Sequence, residues 1–95
     1  KQAIDLIDEL ISHQDINFIF EAGCDDAGIS RHLAAKYPNI QFDGVDFRED
    51  KINEANQLRE QSNLINTQFS YDYFLNFKTM DRQYDVVIFT EVYEH

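Results

Sequence analysis

The sequence predicts an α/β domain: a mostly parallel, doubly wound sheet with helices on both faces. Three observations predict it. Short apolar runs recur at Phe18–Phe20, Ile40–Val45, Thr67–Tyr71 and Tyr84–Phe89. Helix-period segments separate the first three of these runs, and that alternation implies right-handed parallel crossovers. Acidic or hydroxyl residues close the strands at Glu21, Asp46, Asp72 and Thr90/Glu91. Those are the carboxyl ends, where sheets of this kind bind ligands.

Taken in order, Ala3, Ile4, Leu6, Ile7, Leu10 and Ile11 fall at helical spacing and predict an amphipathic helix over about 2–13. Phe18–Phe20 is too short for a helix and reads as a buried strand. Leu33, Ala34 and Tyr37 share one face of a helix over 30–37, stopped by Pro38. Ile40–Val45 is the second strand. Asp50 is the expected N-cap of a helix through about Gln61, patterned by Ile52, Ala55 and Leu58/Arg59. Thr67–Tyr71 and Tyr84–Phe89 are strands three and four. Between them Phe74, Leu75 and Phe77 suggest one loose helical turn.

Ninety-five residues suit one small domain, which buries roughly 60–65% of its unfolded surface. Three Gly and one Pro leave no room for a long flexible linker. A net charge of −10 argues against the chain alone gripping a phosphate backbone. One cysteine rules out an intrachain disulfide and suits a reducing compartment, so a cytoplasmic setting is expected. No apolar run approaches the roughly 20 residues of a membrane helix. The chain starts without Met and stops at His95, where a helix would begin. A single cofactor-binding domain over 1–95, a fragment of a longer one, is therefore expected.

The stretch from Phe18 to Gly28 carries the most chemistry. A strand runs into Glu21, then a turn at Gly23, then the small-residue start of a helix. Such a helix N-terminus offers backbone N–H groups to a nucleotide-like ligand. A second strand ends in Asp46 about 25 residues later, the spacing at which a carboxylate grips a ribose.

On these motifs the chain resembles the class I S-adenosylmethionine-dependent methyltransferases, from about Ile16 to His95. Glu21-Ala22-Gly23-Cys24-Asp25-Asp26-Ala27 occupies the place of the family's glycine-rich first motif, with Asp25 and Ala27 where glycines are usual. Gly44-Val45-Asp46 is similar to its ribose-binding position, and Ser70-Tyr71-Asp72-Tyr73 to its adenine-binding position. The segment from Tyr84 to His95 resembles its fourth-strand signature.

The resemblance implies a Rossmann-like fold of which this chain supplies about four of seven strands. It implies S-adenosylmethionine as cofactor. Glu21, Ala22, Gly23 and Cys24 would hold its methionine end and Asp46 its ribose. Asp72 would reach the adenine, with Phe47, Tyr71 or Tyr73 stacking on it and Thr90 nearby. His95 is the visible candidate for a general base. Glu91, Glu94 and His95 share one face if a helix starts near Thr90. A branch that methylates RNA 3′ ends uses such a cluster on a metal, although the Glu-His pair also occurs in branches without one. No metal is assigned.

Plainer readings stand beside these. Glu21 and Gly23 can form a strand-end turn with no ligand, Asp46 can cap the turn before the next helix, and Asp72 can be a turn residue. Cys24 suits a small filler better than a nucleophile, since no positioned base accompanies it. His13 and His32 read as surface positions on amphipathic helices.

The expected reaction is methyl transfer to an unidentified acceptor, small molecules being favoured over nucleic acid. A non-catalytic domain of the same fold, acting in partner binding, is the alternative. A nicotinamide dehydrogenase is the third, weakened by the absence of Gly-x-Gly-x-x-Gly. The exposed edge of strand four is a site for self-association.

Overall fold

A computed structural model of the chain describes residues 3–72 and 83–89. The elements are α1 (Ala3–His13), β1 (Phe18–Ala22), α2 (Gly28–Lys36), β2 (Gln41–Asp46), α3 (Glu49–Gln61), β3 (Thr67–Tyr71) and β4 (Val86–Phe89). The four strands form one parallel sheet in the order β3-β2-β1-β4. The chain crosses from β1 outward to β2 and β3, then returns to β4 on the other side of β1. That reversal is the switch point at which open α/β sheets take their ligands.

The side-chain alternation of the strands sorts the core. Ile19, Phe42 and Ile88 point to one face, where they cluster with Ile7 of α1 and Leu33 and Ala34 of α2. Further along that face Phe69 meets Ile52 and Ala55 of α3, with Cys24 and Ala27 from the loop after β1. Each Ile, Leu or Phe side chain among them, taken fully from water, contributes about 1.5–3 kcal/mol. The opposite face carries Phe20, Ala22 and Val45, with Tyr84 packed against them. The Phe20 and Tyr84 ring centroids lie 5.0 Å apart. Among the described residues all three helices pack on the first face. The expected helix cover of the second falls outside them, as does the turn expected around Phe74, Leu75 and Phe77.

Polar ties fix the ends of elements. Tyr37 Oη donates to Asp8 Oδ1 at 2.6 Å, and Lys36 Nζ lies 3.1 Å from the same oxygen, joining α2 to α1. Asn66 Nδ2 donates to the carbonyls of Ala34, Tyr37 and Ile40. It thereby closes the exit of α2 against the entry to β3.

Several boundaries differ from expectation: β1 runs on to Ala22 rather than ending at Phe20, β2 spans Gln41–Asp46 rather than Ile40–Val45, and α2 ends at Lys36 rather than Tyr37. Strand four begins at Val86; Asp85 before it donates its N–H to the Phe18 carbonyl at 2.8 Å, and its carboxylate accepts the N–H groups of Asn17 and Phe18 at 2.8 and 2.9 Å. Helix α2 begins at Gly28, two residues early, from an N-cap at Ala27 in the left-handed region. Arg48, not Asp50, is the N-cap of α3. Its carbonyl accepts from Lys51 and Ile52, while Asp46 supplies the side-chain bond to the Arg48 N–H. Asp50 lies in the first helical turn, where its charge suits the helix dipole.

Candidate functional site

The loop after β1 folds back over the end of β2. Gly23 and Cys24 both donate their N–H groups to the Val45 carbonyl, at 2.8 and 2.9 Å. Gly23, Asp25 and Ala27 all have positive φ, at 76°, 60° and 62°. The chain thus needs the left-handed region at three of five positions, and supplies glycine at only one. Aspartate tolerates that region better than most residues, whereas for alanine it costs on the order of 1 kcal/mol.

The close approach is possible because β2 carries Gly44. A Cβ built there would lie 3.1 Å from Cys24 Cβ, Cys24 Sγ and Phe69 Cδ1. A glycine inside a strand marks such an approach of another backbone. That was the available sequence signal for its role, which the motif reading passed over.

Glu21 is buried at the end of β1 and its Oε1 accepts from Ser30 Oγ at 2.7 Å. The bond ties the strand to the first turn of α2, on the inner side of the loop. Ala22 is fully buried with Phe20 and Val45. Cys24 points into the α3 cluster, 3% exposed. Burial, with the Glu21 and Asp46 carboxylates nearby, pushes its thiol well above the usual cysteine range. Asp26 Oδ1 accepts from the Gly28 N–H at 3.0 Å, capping the helix N-terminus with the chain's own carboxylate.

Asp46 is 0% exposed and closes β2. Its Oδ2 accepts from the Asp25 N–H at 2.8 Å and its Oδ1 from the Arg48 N–H at 2.9 Å. Arg48 also grips it side-on, Nε to Oδ1 at 3.0 Å and Nη2 to Oδ2 at 3.2 Å. Burial alone would raise the Asp46 pKa, but these bonds outweigh it and hold the carboxyl below the usual carboxylate range.

Asp25 faces the cations: its Oδ1 lies 3.3 Å from Arg48 Nη2 and 3.9 Å from Lys51 Nζ. The Arg48 guanidinium carbon also stands 5.4 Å from the centroid of the half-buried Phe47 ring, within cation–π range. Asp72 adjoins this cluster, its N–H donating to the Asp46 carbonyl at 2.9 Å. Tyr71, the register partner of Asp46, is largely exposed.

The fold therefore brings Glu21, Ala22, Gly23, Cys24, Asp46, Phe47 and Asp72 to the carboxyl ends of three neighbouring strands. Arg48 and Lys51, which no sequence motif singled out, complete the cluster. Tyr73, Thr90, Glu91, Glu94 and His95 lie outside the described residues. Among the described residues no three His, Cys, Asp or Glu side chains gather to hold a metal. His13 and His32 are both exposed on their helices. A surface depression of about 530 Å³, lined by Leu6, Glu9, Leu10, His13 and Gln14, shares no residue with the strand-end cluster.

A family model described as a methyltransferase domain matches residues 20–95, most of the chain. The chain belongs to the methyltransferase domain family. Solved methyltransferases share its fold. Coclaurine N-methyltransferase, bound to N-methylheliamine and SAH, superimposes with a TM-score of 0.79 at 24% identity, over 97% of this chain and 27% of that one. PKMT2 from Rickettsia typhi, in complex with AdoHcy, gives 0.73 at 19% identity, over 82% and 15%. The plantazolicin methyltransferase BpumL, in complex with SAH, gives 0.69 at 23%, over 85% and 30%. This chain thus spans less than a third of the length of each. No curated protein sequence matches the chain at a significant level. Among the described residues no helix is long and apolar enough to cross a membrane.

Proposed function

We propose that the chain forms the S-adenosylmethionine-binding part of a methyltransferase. The observation that carries this reading is the convergence of the Gly23 loop, Asp46 and Asp72 on the carboxyl ends of three adjacent strands, next to the switch point between β1 and β4. A nucleoside laid across those ends meets a carboxylate for its ribose at Asp46 and another for its base at Asp72. Phe47 offers a ring beside them. The turn at Gly23 leaves backbone, rather than side chain, beside the methionine end. Glu21 supports that turn from beneath through Ser30.

The bound cofactor would supply an electrophilic sulfonium methyl for in-line displacement by an acceptor nucleophile. The chain's own residues contribute orientation, which lowers such barriers by up to roughly 7–11 kcal/mol in the best cases. His95 is the proposed base where the acceptor is a hydroxyl. A small-molecule acceptor fits the acidic chain better than nucleic acid does. A cytoplasmic setting belongs to this reading, supported by the buried, disulfide-free Cys24.

Calorimetric titration with S-adenosylmethionine and S-adenosylhomocysteine, with NAD as control, tests it. Micromolar binding of both sulfur nucleosides, lost in Asp46→Ala, is expected. A folded protein that binds neither, or that prefers NAD, would overturn the reading.

A further inference from the structure

The proposed function asks Asp46 to accept ribose hydroxyls, yet its carboxylate is already full. A carboxylate offers about four lone-pair sites, and four N–H donors occupy them: the backbone of Asp25 and Arg48, and Nε and Nη2 of the Arg48 side chain. The same guanidinium lies against the Phe47 ring, the surface on which a base would stack. One side chain therefore covers both parts of the subsite that a nucleoside needs.

The two backbone donors are fixed by the loop and by the start of α3. The two guanidinium donors sit on a flexible stem. A ribose with free 2′ and 3′ hydroxyls brings two O–H donors, the number Arg48 would withdraw. The charge would not be abandoned, because Asp25 Oδ1 already lies 3.3 Å from Arg48 Nη2. Lys51, 3.9 Å from Asp25 and 3.8 Å from Glu54, braces that carboxylate from α3. This gives a use to an acidic residue standing at a left-handed turn position.

We propose that Arg48 is a positioning residue of the nucleoside subsite. Its guanidinium holds Asp46 and covers Phe47 in the free protein, and withdraws onto Asp25 when a 2′,3′-diol enters. The inference rests on the proposed function and deepens it. It makes the affinity for nucleosides depend on how often Arg48 stands aside. If the open arrangement is populated about 10% of the time, apparent affinity is about tenfold weaker than that of the open site.

Titration of the protein with S-adenosylhomocysteine, in wild type, Arg48→Met, Arg48→Lys and Asp25→Asn, measures this. Arg48→Met is expected to bind about tenfold tighter than wild type. Arg48→Lys should fall between, since an ammonium cannot grip a carboxylate side-on. Asp25→Asn, which removes the retreat, should bind more weakly. In ¹⁵N spectra of wild type the Arg48 Nε–H signal should move on saturation with ligand, and the gain in affinity of Arg48→Met is the change that a purely structural arginine would not show.

Binding by Arg48→Met alone also supports the proposal. Unchanged or weaker binding by a folded Arg48→Met, beside a wild type that binds, overturns it and leaves the proposed function standing. Failure of both folded proteins to bind overturns the two together. Should Arg48→Met not fold, the wild-type spectrum decides, and an Nε–H signal unmoved at saturation refutes the withdrawal.

Discussion

Replacing Gly44 by alanine probes the close approach of the loop after β1 to the sheet. The new Cβ would sit 3.1 Å from three carbon or sulfur atoms, two of them on Cys24 in the loop and one on Phe69. Overpacking of this kind costs about 1–3 kcal/mol. The alanine recovers roughly 0.5–1 kcal/mol of backbone entropy, since Gly44 does not use positive φ. The net expectation is a loss of about 1–2 kcal/mol.

For a domain near this size that lowers Tm by roughly 5–15 °C. Thermal unfolding followed by circular dichroism reads it. Because two of the three displaced atoms belong to the loop, affinity for S-adenosylhomocysteine should fall with stability. Adding Cys24→Ala removes the sulfur and should recover part of both. A Tm equal to or above wild type, or a loss untouched by Cys24→Ala, would refute the reasoning.

Two further outcomes follow from the polar ties. Asp8, Asp46 and Asp85 all have carboxyls held below the usual range, by hydrogen bonds from Tyr37 and Lys36, from Arg48 and Asp25, and from the Asn17 and Phe18 N–H groups respectively. A folded-state pKa below the unfolded value of about 3.9 gives stability that is present above that pH and lost as pH falls through the lowered values. Urea midpoints should therefore drop below pH 4, and less steeply in Asp46→Asn/Asp85→Asn; a flat profile would contradict this. Asn66→Ala strips a donor from three carbonyls and should cost about 1–3 kcal/mol by urea denaturation. A change below about 0.5 kcal/mol would show that water replaces the amide without loss.

Most of the fold was legible because strand and helix periods are local. The β3 bounds and the end of α3 follow from apolar runs and their spacing, and parallel order follows from alternation. The start of strand four falls at Val86 rather than Tyr84, and the Asp85 carboxylate before it is committed to N–H groups at the entry to β1, 67 and 68 residues away in sequence, a pairing that no local pattern reveals. The cap of α3 was misassigned for a similar reason. Arg48 has no capping side chain, and the carboxylate serving it belongs to the preceding strand. Glu21, Asp46 and Asp72 were visible because strand ends can be read from sequence. Arg48 was not, since an arginine two residues past an acidic strand end reads as solvated surface until the pairing with Asp46 is seen. Gly44 left a local signal, a glycine inside a strand, but the neighbours that require it, Cys24 and Phe69, come together only in the fold.

The proposed function stands on a nucleoside bound across the carboxyl ends of β1, β2 and β3. Amide spectra recorded while S-adenosylhomocysteine is added test it most directly. The account predicts shifts concentrated at Gly23–Ala27, at Asp46–Arg48 and at Asp72, with Asn17, Gln41 and Asn66 at the opposite strand ends unmoved. Shifts centred on those opposite ends or on the outer side of α1, or none at saturating ligand, would contradict it.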